Sequence, residues 1–136
     1  NTFGPRMLKD DGRVISNFIV QALNGEPLTI YGDGSQTRSF CYVSDLIDGI
    51  YNLMESDISG PINLGNPSEL TIKEIANIII KKVNPSLTID FKKLPADDPR
   101  RRNPNIEKAK NLLNWEPEID LSKGLDKTIN YFKSLN

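Results

Sequence analysis

The sequence contains no histidine and a single cysteine, Cys41. Without histidine it lacks the usual neutral-pH acid–base side chain and the commonest zinc ligand, so neither a Ser-His-Asp site nor a zinc hydrolase site can reside in this chain alone. One cysteine permits no disulfide within the chain and no cysteine-rich metal site. Long apolar runs are also missing: none approaches the roughly 18 residues of a membrane-crossing helix, and there is no signal-peptide pattern. Charge of one sign is not in excess, since 17 lysines and arginines stand against 18 acidic residues, a net charge of −1. That balance points to neither nucleic acid nor a membrane surface, so specific contacts must come from local clusters.

What is present suffices for one domain with its own core: 136 residues, 38% of them hydrophobic. The opening Asn1-Thr2-Phe3-Gly4-Pro5-Arg6 has no initiator methionine and reads as a loop, so the chain is expected to be a fragment of a longer protein. A helical period runs from Gly12 to Asn24 and stops at Asn24-Gly25, with Pro27 just beyond. Leu28 to Tyr31 predicts a strand that enters the turn Gly32-Asp33-Gly34-Ser35. Ser44 is the expected N-cap of a helix to about Glu55, with Ile47, Ile50, Tyr51 and Met54 as its inner stripe. Pro61 to Gly65 reads as a brief strand. Thr71-x-x-Glu74 is a capping box that opens the most apolar helix of the chain, striped by Ile72, Ile75, Ala76, Ile79, Ile80 and Val83. Leu87 to Phe91 alternates like a strand, and Lys92 to Asn103 reads as a polar loop. Pro104-Asn105 starts a helix with Ile106, Ala109, Leu112 and Leu113 inside, and Trp115-Glu116-Pro117 turns the chain into a closing helix from Leu121 to Leu135. No internal repeat or low-complexity tract is visible. Helices alternating with short strands give an α/β or α+β class with a small sheet.

Few residues carry chemistry. Arg38 follows the glycine turn on a short element near Tyr31. Glycines let a backbone approach a ligand, and a guanidinium offers a fixed fork of donors that suits phosphate oxygens. A structural role for Arg38, and ordinary strand packing for Tyr31, are the competing readings. Gly32-x-Gly34 begins like a dinucleotide fingerprint, but Thr37 stands where that pattern needs glycine and no helix is signalled after it. Arg13 opens the first helix, where the helix dipole does not favour a cation, so a contact with an anionic ligand is a natural use for it. Arg100 to Arg102 form a basic run of the kind that is usually solvated, with Asp97 and Asp98 as its nearest partners rather than a catalytic pair. Two or three arginines with an aromatic suit a nucleotide diphosphate.

Several separated motifs then agree in order and spacing. Asn1-Thr2-Phe3-Gly4-Pro5-Arg6-Met7, Asp11-Gly12-Arg13-Val14, Gly32 through Phe40, Tyr42-Val43-Ser44-Asp45-Leu46, Asn63-Leu64-Gly65-Asn66-Pro67, Asp97 through Pro104 and Leu113-Asn114-Trp115-Glu116-Pro117 resemble the C-terminal part of the extended short-chain dehydrogenase/reductase family. Within it they resemble the UDP-glucuronate decarboxylase branch, and the match covers essentially the whole chain. In related dehydratases the arginine matching Arg38 is usually followed by Asp and an aromatic; here Ser39 and Phe40 follow.

The resemblance implies an α/β, Rossmann-type parent fold of which residues 1–136 hold mostly the small substrate-binding part, the N-terminal dinucleotide-binding half lying outside this chain. It implies bound NAD as cofactor, a UDP-sugar as substrate, a homodimer when intact, and a cytoplasmic location unless an anchor precedes the chain. Asn1, Tyr31, Gln36, Arg38 and Arg102 are implied to touch the substrate, and Thr2 and Arg13 fall at positions near cofactor or cleft. No metal and no catalytic base is implied here, Arg102 being at most an assistant. The implied base is the tyrosine of a Tyr-x-x-x-Lys pattern, and this sequence has no such pattern. A 4,6-dehydratase, a 4-epimerase or a non-catalytic sugar-nucleotide-binding module would share much of this set.

Overall fold

Alternation of helices with strands of two to four residues dominates the computed structural model, which describes residues 1–93 and 101–135. In chain order the elements are β1 (Thr2–Phe3), α1 (Val14–Leu23), β2 (Leu28–Tyr31), β3 (Thr37–Ser39), β4 (Cys41–Tyr42), α2 (Val43–Met54), β5 (Glu69–Thr71), α3 (Ile72–Val83), β6 (Ile89–Lys92), β7 (Arg101–Arg102), α4 (Glu107–Leu113) and α5 (Leu121–Lys133). The expected α/β class is what the chain adopts.

The strands form three small sheets. β1 pairs with β4 and β2 with β6, both parallel, while β3 lies between β5, antiparallel, and β7, parallel. The helical stripes of α1, α3 and α5 converge on one core: Ile15, Ile19, Ile75, Ile79, Leu125 and Phe132 are all essentially inaccessible, with Leu28 and Ile30 from β2 beside them. Each such side chain contributes about 1.5–3 kcal/mol by leaving water. Phe3 enters this core edge-on to Tyr42, with ring centroids 5.6 Å apart, and lies so close to Gly124 that a Cβ there would come within 2.7 Å of its ring.

Thr71 and Glu74 close the capping box as the sequence requires: the Thr71 hydroxyl accepts the Glu74 N–H at 3.1 Å, and Glu74 Oε2 accepts the Thr71 N–H at 2.8 Å. A smaller core of Ile106, Ala109 and Trp115 joins α4 to α2. Asp45, buried at the start of α2, holds this junction: its Oδ2 accepts the N–H groups of Glu118 and Ile119, and its carbonyl accepts the Trp115 indole N–H at 2.9 Å. Gly49 fits against the same indole, where a Cβ would meet Trp115 at 2.8 Å.

Several local expectations change, among them the inside position of Leu112 on α4, which is exposed because the helix packs through Ile106 and Ala109. Tyr42, not Ser44, is the N-cap of α2, and its side chain makes no cap hydrogen bond. The supposed inner stripe of α2 points outward, with Ile47, Tyr51 and Met54 58%, 60% and 74% exposed. Its packed face is instead Asp45 and Gly49, because the Trp115 turn docks there. Residues 62–64 form no strand, since no described strand lies alongside to complete a ladder. Arg101 and Arg102, read as loop, form an edge strand because β3 offers them a parallel ladder. Asp97, Asp98 and Arg100 lie outside the described residues. Among the described residues no helix is long and apolar enough to cross a membrane.

Candidate functional site

The glycine turn sets the geometry of the site. Gly32 and Gly34 both have left-handed backbones, with φ of 78° and 77°, a region where a side chain is strained. Asp33 ties the bend by accepting the N–H and hydroxyl of Ser35 at 2.9 and 2.7 Å. The close approach expected of the glycines is made to α3 rather than to an open space: the Ile72 and Lys73 N–H groups donate to the carbonyls of Gln36 and Gly34 at 3.0 and 3.1 Å, and a Cβ on Gly34 would lie 3.1 Å from that of Lys73. The turn therefore satisfies otherwise orphaned donors at the start of α3. It also fixes where β3 begins.

A cleft of about 590 Å³ opens beside this turn, walled by α1, β2, β3 and β6. Tyr31, Gln36 and Arg38 all line it, together with Asn17 and Gln21 of α1 and Lys92 of β6. That volume is in the range of small-molecule sites. Gln36 donates its Nε2 to the Tyr31 carbonyl at 2.8 Å, so it braces the strand as well as facing the cleft. Arg38 is only 6% exposed and donates from Nη1 to the Thr37 carbonyl at 2.7 Å. A guanidinium so nearly buried beside a cavity presents strong charge to whatever enters. Gln21 pairs with Thr29 through its amide in both directions, at 3.1 Å each, and squares off that wall.

A second, smaller cleft of about 440 Å³ is lined by Asn1, Thr2, Ser39, Asn63, Asn66 and Arg102 among others. Amides and hydroxyls dominate it. Arg38 of the larger cleft and Arg102 of the smaller are paired residues of the β3–β7 ladder. Paired residues of neighbouring strands project from the same face, so the two arginines stand side by side on one face of the sheet. Arg13 lines neither cleft. It is the N-cap residue of α1, its Nε 3.6 Å from an Asp11 carboxylate oxygen and its side chain 63% exposed, while its neighbours Gly12 and Val14 line the larger cleft.

Tyr31, Gln36 and Arg38 therefore come together in one cleft and Asn1, Thr2 and Arg102 in the other. Lys92 was missed: it faces Tyr31 across the parallel β2–β6 ladder, and nothing in a lone lysine at a strand end marks it. Glu69 was missed too. It accepts from Thr37 Oγ1 at 2.8 Å, from Arg101 Nε and Nη2 at 3.0 and 2.6 Å, and from Asn103 Nδ2 at 2.9 Å. Its carboxyl is held down to about 2, chiefly by the Arg101 hydrogen bonds and then by Thr37. Cys41, buried and near Asp45, is pushed up to about 11, mainly by burial, and is no thiolate at neutral pH. Among the described residues no group of three or more His, Cys, Asp or Glu could hold a metal.

Comparison with known proteins extends this geometry. A family model described as "NAD dependent epimerase/dehydratase family" matches residues 1–65. UDP-glucuronic acid decarboxylase 1 of Danio rerio is 59% identical over 97% of this chain, and the Arabidopsis thaliana protein of that name 54% identical over 98%. The chain spans about a third of the length of these relatives, 32% and 31%. The UDP-glucuronic acid 4-epimerase of Bacillus cereus, solved with UDP-glucuronic acid and NAD, superposes with a TM-score of 0.92 over all of this chain and 44% of its own, at 34% identity. The UDP-glucose 4-epimerase of Thermotoga maritima, solved with UDP-glucose, gives 0.95 over all of this chain and 45% of its own, at 29% identity. The fold is accordingly Rossmann-like α/β, and over residues 1–65 the chain is similar to the NAD-dependent epimerase/dehydratase family.

Proposed function

We propose that this chain is the UDP-sugar-binding part of an NAD-dependent UDP-glucuronate decarboxylase. The observation that carries the reading is the nearly buried Arg38, lining one cleft, set in register on one sheet face with Arg102, lining the other. The sequence identity of 54–59% to proteins named UDP-glucuronic acid decarboxylase supports the choice of branch. In this reading Tyr31 and Gln36 border the base end of the larger cleft, while Arg38 and Arg102 hold the diphosphate. Asn1 steadies the phosphate from the second cleft. The two guanidiniums offer planar forks of donors that match phosphate oxygens, and being always charged they act by position and charge rather than by proton transfer.

The second cleft fits one wall of an NAD site. Its hydroxyl and amide groups, Thr2, Ser39, Asn63 and Asn66, suit the polar edges of a nicotinamide and its ribose. When bound, NAD supplies oxidation at C4 of the sugar, which turns the glucuronate into a β-keto acid able to lose CO2. Thr2 would lie against that group, and Arg13, whose neighbours border the larger cleft, would add positive charge beside that cleft. The sequence holds no Tyr-x-x-x-Lys pair, so the base belongs to the part of the protein beyond this chain, and residues 1–136 alone form no product. A homodimer and a cytoplasmic location rest on the family resemblance alone.

A UDP-sugar 4-epimerase is the second reading, favoured by the TM-scores of 0.92 and 0.95 to two such enzymes. Incubating the full-length protein with UDP-glucuronate and NAD separates the two. Release of CO2 with formation of the UDP-pentose supports decarboxylation. Retention of all carbon with inversion at C4 replaces it by epimerisation, and no conversion of UDP-glucuronate, UDP-glucose or dTDP-glucose leaves only a binding module.

A further inference from the structure

We propose that Glu69 is a positioning residue for Arg102: from the back of the three-stranded sheet it fastens the edge strand β7 in the one register that lays Arg102 beside Arg38. The inference rests on the reading of those two arginines as diphosphate contacts.

Among the described residues β7 comprises Arg101–Arg102 and pairs with β3, at Thr37↔Arg101 and Arg38↔Arg102. Beyond that ladder, the Ser39 hydroxyl reaches the Arg102 carbonyl at 3.3 Å, near the limit of a hydrogen bond. A ladder of these two pairs does not define its own alignment. The sequence makes matters worse, because Arg100, Arg101 and Arg102 are consecutive and a slip of one residue would still leave an arginine at each place. A slip of one also exchanges the faces of every side chain. Arg102 would then point away from the cleft.

Glu69 removes that ambiguity. It stands on β5, the opposite edge of the same sheet, so its carboxylate must reach past β3 to engage β7. On the way it takes the Thr37 hydroxyl, and at the far side it takes Arg101 through Nε and Nη2 and Asn103 through Nδ2. Within β7 alternation puts Arg101 on one face and Arg102 on the other, and the carboxylate that holds Arg101 also takes Asn103, just past the end of the strand. The pattern recognised is therefore arginine, any residue, asparagine. Only one alignment of the three arginines supplies an asparagine two places on, which is what selects Arg102 for the cleft. Arg102 lines the cleft of Asn1 and Thr2, whereas Arg101 borders an adjoining hollow with Glu107 and Lys110; Asn103, Pro104 and Asn105 line both. As a mere surface ion pair, the Glu69–Arg101 contact, with Arg101 71% exposed, would matter little. Its worth lies in alignment.

A double-mutant cycle on the full-length protein tests this, with UDP affinity read by calorimetry and thermal unfolding recorded for each variant. Glu69→Ala is expected to weaken UDP binding about tenfold, Arg102→Ala by a similar factor, and the double variant no more than Arg102→Ala alone, because Glu69 acts only through Arg102. Independent, multiplying losses would overturn the inference, as would unchanged affinity in Glu69→Ala. If Glu69→Ala does not fold, Glu69→Gln, which keeps one acceptor oxygen, takes its place in the same cycle. Arg38→Ala is the reference that keeps the two readings apart. Weaker binding there with none lost in Arg102→Ala overturns the role of Glu69 and leaves the cleft standing; no loss in either variant overturns the cleft.

Discussion

Replacing Arg38 by alanine is the sharpest perturbation of the larger cleft. Arg38 is 6% exposed and anchored to the Thr37 carbonyl at 2.7 Å, so its guanidinium is already held in place before a ligand arrives. A preorganised charge loses little side-chain entropy on binding. Hydrogen bonds to charged groups are worth roughly 1.5–3 kcal/mol, which corresponds to a loss of about ten- to a hundredfold in UDP affinity. Arg38→Lys keeps the charge but replaces the planar fork with a point donor on a flexible stem, so it should recover part of the affinity and not all. The truncation also removes the donor that serves the Thr37 carbonyl, at a cost to stability of about 1–3 kcal/mol. Calorimetric titration of the full-length protein with UDP, beside a thermal melt, separates the two losses. A folded Arg38→Ala protein that binds UDP as tightly as the parent would refute the assignment of this cleft to the nucleotide.

Three further outcomes follow from local geometry. Thr71→Ala removes the hydroxyl that accepts the Glu74 N–H at 3.1 Å and should cost about 0.5–2 kcal/mol in denaturant unfolding; no change would mean that the capping box is idle. Gly34→Ala puts a side chain on a residue with φ of 77° and a Cβ 3.1 Å from that of Lys73. It should destabilise by about 1–2 kcal/mol or more, with UDP affinity falling alongside if the turn shapes the cleft. Glu69 has its folded-state carboxyl depressed from 4.5 to about 2, so its stabilising contribution is complete above pH 4.5 and is lost as the pH falls through about 2. Melting temperatures of the parent and Glu69→Gln should differ at neutral pH and converge over that window. A difference that persists at pH 2 would mean that the carboxylate charge is not what holds the contact.

The helices were legible because their covered faces repeat. The stripes Ile72-Ile75-Ala76-Ile79-Ile80 and Leu125-Thr128-Ile129-Phe132 are buried as their spacing demands. Period alone does not say what covers a face, and the Ile47-Ile50-Tyr51-Met54 stripe of α2 shows the difference: a real helical face, turned outward. Strands depended on partners that sequence does not display. Leu28–Tyr31 found β6 alongside, residues 62–64 found nothing among the described residues, and the arginine run gained a ladder from β3. The cleft was legible as far as its local motif reached, Tyr31 through Arg38. Lys92 and Glu69 escaped because their relevance is created by register between segments far apart in the chain, Tyr31 with Lys92 and Ser39 with Glu69.

The hydrogen bonds between the glycine turn and α3 make the cleft observable by amide exchange. The Ile72 and Lys73 N–H groups are covered only while Gln36 and Gly34 hold their carbonyls over them, and Gln36 is at the same time a wall of the cleft. Their hydrogens can exchange with solvent only when the turn lifts from the helix. Any ligand that presses the turn down slows those two amides without touching them. Two backbone protons at a helix start thus serve as a built-in reporter of occupancy, available even where turnover is not.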